Sequence, residues 1–218
     1  MTVKNFRHIR SEIDVAPMLD ELSRQDALWY RDTSRQEGVA IHSKTRAIIL
    51  RSRMDTASAD KEVRESFPHN VIYVSHRQFA AEKFPIICRF VERYARGIGG
   101  LLGRVAIVNL LPGCAVEQHV DEGLYYKLRA RYHLVLKSTS GSRMISGDEQ
   151  VTMRSGELWW FNNRLPHEAF NESREDRIHV IFDVLSPASF LSCVGRSLRF
   201  RTQQVLRTVR PGRLRRTV

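Results

Sequence analysis

Three side chains in the second half of the chain have the types and the spacing of a metal site. His119 and Asp121 lie two residues apart in the segment QHVDEG, and His167 follows in LPHEAFN. Residues two apart in an extended segment project to the same side, so the first two side chains can reach one ion. Two histidines and one carboxylate on one face of a ferrous ion leave positions open for a co-substrate and dioxygen. The three residues are therefore predicted to bind Fe(II).

An H-x-D pair is weak by itself, and the competing interpretation of His119 and Asp121 is an exposed turn with a solvated aspartate. His167 lies 48 residues after His119, so it must belong to another strand or loop. A shared site needs a fold that brings distant strands together, and a two-layered barrel of the jelly-roll or cupin kind does so.

The pattern from residue 101 to residue 187 is typical of such a barrel. Short runs rich in β-branched and aromatic residues are separated by turn signals such as Pro112-Gly113 and Ser155-Gly156. We therefore predict a mainly β fold with flanking helices and a double-stranded β-helix core.

Two of the predicted strands alternate in a way that places polar side chains together. In RARYHLVLK, Arg131 and His133 share one side of the strand; in DRIHVIFDV, Arg177 and His179 share one side. His179 is expected to be structural or to line the mouth of a pocket, and Asp183, on the side of Arg177, to support a neighbouring polar residue.

The chain is predicted to form one structural domain in three parts. Residues 1–100 form a mixed α/β part that packs on the barrel, residues 101–187 form the barrel, and residues 188–218 form a basic helix and tail. Two helices are predicted before the barrel: one at 14–25, capped by Asp14, and one within the segment 82–100, with Gly97 as its stop signal. Strands are predicted at 28–30, 46–51 and 71–75. The core face of the second helix is predicted to hold Ile86, Ile87, Phe90, Val91 and Tyr94.

The net charge of +11 is concentrated at the C-terminus. From Arg196 onward there are eight arginines and no acidic residue, which leaves +3 for residues 1–195. Such a tail is either a solvated end or a contact for an acidic or nucleic-acid partner. No apolar run is long enough to span a membrane, and three cysteines far apart in sequence indicate reduced thiols in a cytoplasmic protein.

Four segments together resemble one known family. They are LLPGCAVEQHVD, RARYHLVL, GELWWFNNRLPHEAFN and DRIHVIFDV. In order and spacing they are similar to the aspartyl/asparaginyl β-hydroxylase family of iron- and 2-oxoglutarate-dependent oxygenases. The pattern is closest to soluble bacterial members that keep H-x-D, such as proline hydroxylases.

The resemblance implies a role for each matching residue. His119, Asp121 and His167 match the iron ligands. Arg177, ten residues after the second histidine, matches the arginine that binds the distal carboxylate of 2-oxoglutarate; the alternative is a surface residue after the SREDR turn. Arg131 and His133 match a pair that faces this co-substrate; their alternatives are a strand-edge charge and a core histidine bonded to backbone.

One position departs from the family pattern. Eleven residues before the first iron histidine the family often has serine, and this chain has Val108. Either the co-substrate carboxylate has another hydrogen-bond partner here, or it is held less firmly.

The function implied is that of an Fe(II)/2-oxoglutarate-dependent dioxygenase. It would hydroxylate an unactivated carbon of an amino acid, or of an Asp-, Asn- or Pro-like residue in a peptide or protein. Two alternatives stay open at this point: a catalytically inactive cupin-like binding module, and a nucleic-acid-associated protein that uses its arginine-rich tail. The sequence determines neither the substrate nor the oligomeric state.

Overall fold

Two antiparallel sheets form the body of the protein in a computed structural model that describes residues 5–31, 33, 44–53 and 74–191. The strands are β1 Phe6–Arg10, β2 Thr45–Ser52, β3 His76–Arg77, β4 Leu101–Leu110, β5 Cys114–His119, β6 Ala130–Lys137, β7 Ser142–Ser146, β8 Glu149–Val151, β9 Leu158–Phe161, β10 His167–Asn171 and β11 Arg177–Leu185.

The chain crosses repeatedly between the two sheets. The large sheet has the strand order β1-β9-β6-β11-β4-β2-β3, and the small sheet has the order β5-β10-β7-β8. From β4 onward, successive strands pass from one sheet to the other, except that β7 and β8 are neighbours in the small sheet. This crossing is the winding of a double-stranded β-helix, and it places residues far apart in sequence on facing strands.

Two helices cover the outer face of the large sheet, which is the face turned away from the small sheet. They are α1 Ala16–Ser23 and α2 Pro85–Gly97; a third, α3 Leu124–Leu128, follows β5. Helix α2 starts at a proline, and the Glu21 carboxylate of α1 accepts hydrogen bonds from the backbone N–H groups of Ile86 (2.6 Å) and Ile87 (3.2 Å). A carboxylate at a helix N-terminus satisfies N–H groups that have no intrahelical partner.

The main apolar core lies between α2 and the outer face of the large sheet. Its fully buried members include Ile87, Val91, Ile107, Val180 and Phe182. A smaller apolar cluster lies between the two sheets and consists of Phe6, Val135, Met144, Met153 and Phe161. Since Met144 belongs to the small sheet and Val135 to the large one, the sheets pack face to face through this cluster.

Several element predictions were wrong in detail. Residues 28–30 belong to a 3₁₀ helix, Asp26–Tyr30, and not to a strand. Asp14 accepts a hydrogen bond from the backbone of Ala16 but does not cap α1, whose N-cap is Val15. Ile86 is exposed because the buried face of α2 is formed by Ile87, Cys88, Val91 and Ala95.

Strand β1 was not predicted from the sequence. It pairs antiparallel with β9 at the edge of the large sheet, with Phe6 opposite Phe161. Of the strand predicted at 71–75, residues 71–73 lie outside the described residues, and positions 74 and 75 precede the short strand β3.

The C-terminal prediction falls largely outside the described chain. A short helix occupies 187–191, and the remainder of the predicted basic helix and tail lies beyond the described residues. Among the described helices, none has the length and apolar content that a membrane crossing requires.

Candidate active site

His119 and His167 lie opposite each other on neighbouring strands of the small sheet. His119 ends β5 and His167 begins β10, and their Cα atoms are register partners. The ring centroids are 4.2 Å apart. Antiparallel pairing of β5 with β10 thus joins two histidines separated by 48 residues in the sequence.

Both imidazoles are oriented by backbone carbonyl groups. Nδ1 of His119 lies 2.8 Å from the carbonyl oxygen of Glu117, and Nδ1 of His167 lies 2.9 Å from that of Leu165. Each Nδ1–H can donate to its carbonyl, which leaves Nε2 as the metal-binding nitrogen; metal-bound histidines are commonly held this way. Burial lowers the pKa of His167 to about 4, so this ring is neutral and its lone pair is available at neutral pH.

Asp121 lies just after β5, and its carboxylate is held from two sides. Oδ2 accepts hydrogen bonds from Nδ2 of Asn163 (2.9 Å) and from Nη1 of Arg131 (2.5 Å). The backbone N–H of Asp121 donates to the carbonyl of Asn163 (3.2 Å). Burial by itself would raise the pKa of Asp121, but Arg131, His167 and the Asn163 hydrogen bond outweigh it and lower the pKa, so the carboxylate is ionised.

Arg131 connects Asp121 to a second buried carboxylate. Its Nε and Nη2 donate to the two oxygens of Asp183 on β11, at 2.8 and 3.1 Å. The guanidinium also lies 4.9 Å from the ring centroid of Tyr126. Burial would lower the pKa of Arg131, but Asp121 and Asp183 raise it well above its usual value. The predicted support from Asp183 is therefore directed at Arg131.

One atom from each of His119, Asp121 and His167 lies within 4.8 Å of the others. This spacing suits one ion bound at about 2 Å by nitrogen and oxygen donors. Two imidazoles and one carboxylate on one side form the donor set of a ferrous site with open positions. The residues present therefore fit an iron ion, which the His119–Asp121–His167 triad would hold.

Arg177 is buried at the start of β11 with an unsatisfied group. Its side chain is 5 % exposed, and Nη2 has no hydrogen-bond partner among the described residues. Burial lowers the pKa of Arg177 to about 10, and no described carboxylate offsets this effect. A buried guanidinium without a counter-charge is unfavourable by itself and is suited to an anionic ligand. The arginine therefore fits a carboxylate or another anionic group.

His133 and His179 face each other inside the barrel. Their Nδ1 atoms are 3.1 Å apart, and both residues are buried. His133 packs edge-on against Phe161 with ring centroids 5.0 Å apart, and Phe161 lies 5.1 Å from His167. A continuous row of rings therefore connects β11 to the His119–Asp121–His167 triad.

Two residues of the site were not predicted from the sequence. Asn163 binds Asp121 through both side chain and backbone, and Tyr126 covers Arg131. The only signal for Asn163 is its place four residues before His167, in FNNRLPH. Nothing in the sequence singles out Tyr126, because its contact depends on where α3 lies after the turn at Gly123, which has a φ of 100°.

The sequence profile of one protein family, described as aspartyl/asparaginyl beta-hydroxylase, matches residues 4–187. L-proline cis-4-hydroxylase of Rhizobium meliloti is 32% identical over 88 residues, which are 39% of this chain and 31% of that protein. Aspartate beta-hydroxylase domain-containing protein 2 of Mus musculus is 31% identical over 109 residues, which are 46% of this chain and 31% of that protein. The matched part of the chain thus spans about a third of these curated relatives (31%).

A solved structure has the same fold over most of both chains. It is an oxidoreductase of the 2OG-Fe(II) oxygenase family from Burkholderia pseudomallei, with a TM-score of 0.53, 12% sequence identity and coverage of 83% of this chain and 84% of that one. The predicted fold class, a mainly β protein with flanking helices and a double-stranded β-helix core, is confirmed.

Proposed function

The chain belongs to the aspartyl/asparaginyl beta-hydroxylase family, and from this premise we propose that it is an Fe(II)/2-oxoglutarate-dependent dioxygenase. It hydroxylates an unactivated carbon of an amino acid, or of an Asp-, Asn- or Pro-like residue in a peptide or protein. The observation that carries the proposal is the convergence of His119, Asp121 and His167 within 4.8 Å in a barrel that also buries Arg177, whose Nη2 has no hydrogen-bond partner in the described part of the chain.

Three side chains present the iron-binding face. His119 and His167 use Nε2, since Nδ1 of each faces a backbone carbonyl. Asp121 supplies one negative charge, and Asn163 and Arg131 fix its orientation. Bound iron would supply the activation of dioxygen: one oxygen atom would enter the substrate C–H bond, and the other would enter succinate as 2-oxoglutarate loses its 1-carboxylate as carbon dioxide.

Arg177 binds the far carboxylate of 2-oxoglutarate. Its planar guanidinium can donate two parallel hydrogen bonds to a carboxylate, which a lysine cannot. Arg131 and His133 also contact the co-substrate in this proposal. Arg131 lies next to the bound co-substrate while it holds Asp121, and His133 lies between Phe161 and His179.

Apolar residues limit access of water to the site. Phe161, Met144 and Val135 belong to the cluster between the sheets, and Phe161 lies 5.1 Å from His167. An apolar lining that excludes water strengthens the electrostatic contacts of Asp121 and Arg131 and limits side reactions with water.

The substrate class follows from the relatives' names and is a proposal for this chain. The widely separated cysteines support a cytoplasmic location, with free thiols at Cys88 and Cys114 among the described residues. An acidic or nucleic-acid partner of the arginine-rich tail remains a prediction, since the tail lies outside the described residues. The division into 1–100, 101–187 and 188–218 is likewise proposed.

The test is release of succinate from 2-oxoglutarate. Purified protein with Fe(II) is incubated with free amino acids and with peptides that contain Asp, Asn or Pro, and products are screened for the mass of one added oxygen. Asp121→Ala should lower the rate by more than about 100-fold, because loss of a ligand exceeds the effect of losing a residue that supports one. Full activity of this variant, or no iron binding by the wild-type protein, would contradict the proposal.

A further inference from the structure

The inner face of β11, which faces the small sheet, carries two buried nitrogens that no described residue contacts by a hydrogen bond. Arg177 and His179 are two residues apart and share this face, and their exposed fractions are 5 % and 0 %. Neither Nη2 of Arg177 nor Nε2 of His179 has a hydrogen-bond partner among the described residues. A buried polar group without a partner costs about 1–3 kcal/mol, so two of them on one face indicate a ligand that contacts both.

His133 orients the ring of His179. Their Nδ1 atoms are 3.1 Å apart, so one of these nitrogens donates and the other accepts. Burial, together with Arg177 and His133, lowers the pKa of His179 well below its usual value, so the ring is neutral. When Nδ1 of His133 donates, the proton of His179 is on Nε2, the nitrogen that no described residue contacts.

On the neighbouring strand β4, the residue opposite His179 is Val108. The two are Cα partners in the pairing of β4 with β11. A valine side chain offers no hydrogen bond, so of these two opposed residues only His179 has a side chain that can donate to an anion. His179 therefore brings a polar nitrogen to the place where the neighbouring strand lacks one.

We propose that Nε2–H of His179 donates a hydrogen bond to the far carboxylate of 2-oxoglutarate, beside the guanidinium of Arg177. This proposal rests on the proposed dioxygenase function and deepens it, because it assigns the second group that recognises the co-substrate. The anion itself favours the required tautomer, since a proton on Nε2 is stabilised by a facing negative charge.

The experiment compares two substitutions that differ in where they keep a polar group. The amide of glutamine reaches the position of Nε2, whereas the shorter asparagine reaches only that of Nδ1. Full-length wild-type protein, His179→Gln and His179→Asn are loaded with Zn(II), which is redox-inactive, and titrated with 2-oxoglutarate by calorimetry. We expect His179→Gln to bind within about threefold of wild type and His179→Asn to bind about 10-fold or more weakly, as for loss of one hydrogen bond to a charged group.

A second ligand isolates the far carboxylate. 2-Oxopentanoate has the same chain length but no carboxylate at that end, so the two variants should bind it with equal affinity. The double variant Val108→Ser/His179→Asn should recover part of the lost 2-oxoglutarate affinity, because serine places a hydroxyl on the neighbouring strand β4, opposite position 179. Equal 2-oxoglutarate affinity of wild type and His179→Asn would overturn the proposal.

A measurement on the wild-type protein keeps the proposal testable if a variant does not fold. In the Zn(II) form with 2-oxoglutarate bound, ¹⁵N shifts of the histidine rings should show His179 protonated on Nε2. An unprotonated Nε2 in that complex would overturn the proposal. Failure of the wild-type protein to bind 2-oxoglutarate at all would instead contradict the proposed function, so the two failures are distinguishable.

Discussion

The two faces of strand β11 have opposite compositions although they come from the same nine residues. The outer face carries Ile178, Val180, Phe182 and Val184, all of which belong to the core beneath α2. The inner face carries Arg177, His179 and Asp183, which are equally buried but face the small sheet, together with the half-buried Ile181. The two faces therefore do not differ in burial. They differ in what their side chains contact: apolar groups on the outer face and polar groups on the inner face.

The difference separates stability from chemistry. Apolar side chains on the outer face are stabilised by removal from water, at about 25 cal/mol per Å². Charged side chains on the inner face lose hydration, and only hydrogen bonds to specific partners offset that free-energy cost. Asp183 has such a partner in Arg131, whereas Arg177 has none among the described residues. We expect changes on the outer face to affect unfolding and changes on the inner face to affect ligand binding.

Phe182→Ala should produce the largest change in the free energy of unfolding. Phe182 is fully buried and stacks on Tyr132, with ring centroids 5.4 Å apart and Tyr94 edge-on at 5.7 Å. Truncation should destabilise the protein by about 3–5 kcal/mol, measured by urea unfolding. The affinity of the remaining folded protein for Zn(II) should not change; a parallel loss of metal affinity would show that the two faces are not separable.

Arg177→Met should have the opposite effect on stability. It removes a buried charge that has no partner among residues 5–31, 33, 44–53 and 74–191, and it keeps an unbranched side chain, so the ligand-free protein should gain about 1–4 kcal/mol against urea. Affinity for 2-oxoglutarate should fall about 30-fold or more, because the anion then lies in a buried site without its cation. A destabilised variant would mean that Arg177 has a stabilising partner in the protein.

Asp183→Asn tests whether the inner face supports the metal indirectly. The substitution keeps the shape of the side chain but removes one of the two carboxylates that hold Arg131, so Arg131 should fix Asp121 less firmly. Zn(II) affinity should fall about 10- to 100-fold, measured by chelator competition.

The matched control for Asp183→Asn is Glu175→Gln. Glu175 pairs with Lys137 at 2.7 Å on the surface, and both side chains are exposed. Removing this pair should leave Zn(II) affinity unchanged. Equal effects of the two substitutions would rule out a specific role for the Asp183–Arg131–Asp121 chain.

The smallest expected effect is a change in the pH dependence of stability. The pKa of His179 is well below 6.5 in the folded protein, so below that pH the unfolded chain binds a proton that the folded protein does not. Stability should therefore fall as the pH decreases from 6.5, and His179→Leu should remove up to about 1.4 kcal/mol per pH unit from that slope. Urea unfolding of the metal-free wild-type and His179→Leu proteins at pH 7 and pH 5 measures the two slopes. Identical slopes for the two proteins would mean that folding does not lower the pKa of His179.

Much of the contrast between the two faces is predictable from the sequence because a strand alternates with a period of two. That period by itself places Arg131 with His133 and Arg177 with His179. The elements that were missed or wrong depend on long-range pairing. β1 exists because Phe6 pairs across to Phe161, and residues 28–30 form a 3₁₀ helix although their apolar run is equally compatible with a strand.

The amino-acid sequence by itself determined which chemical groups are available and which of them share a strand face, since both follow from residue type and local geometry. Only the tertiary structure decided which groups meet. The register of β5 against β10 brings His119 to His167, and the register of β6 against β11 brings Arg131 to Asp183. The packing of the two sheets brings Arg131 to Asp121. The pairs His119–His167 and Arg131–Asp183 join residues 48 and 52 positions apart, and no local preference fixes the crossing of the chain that makes them.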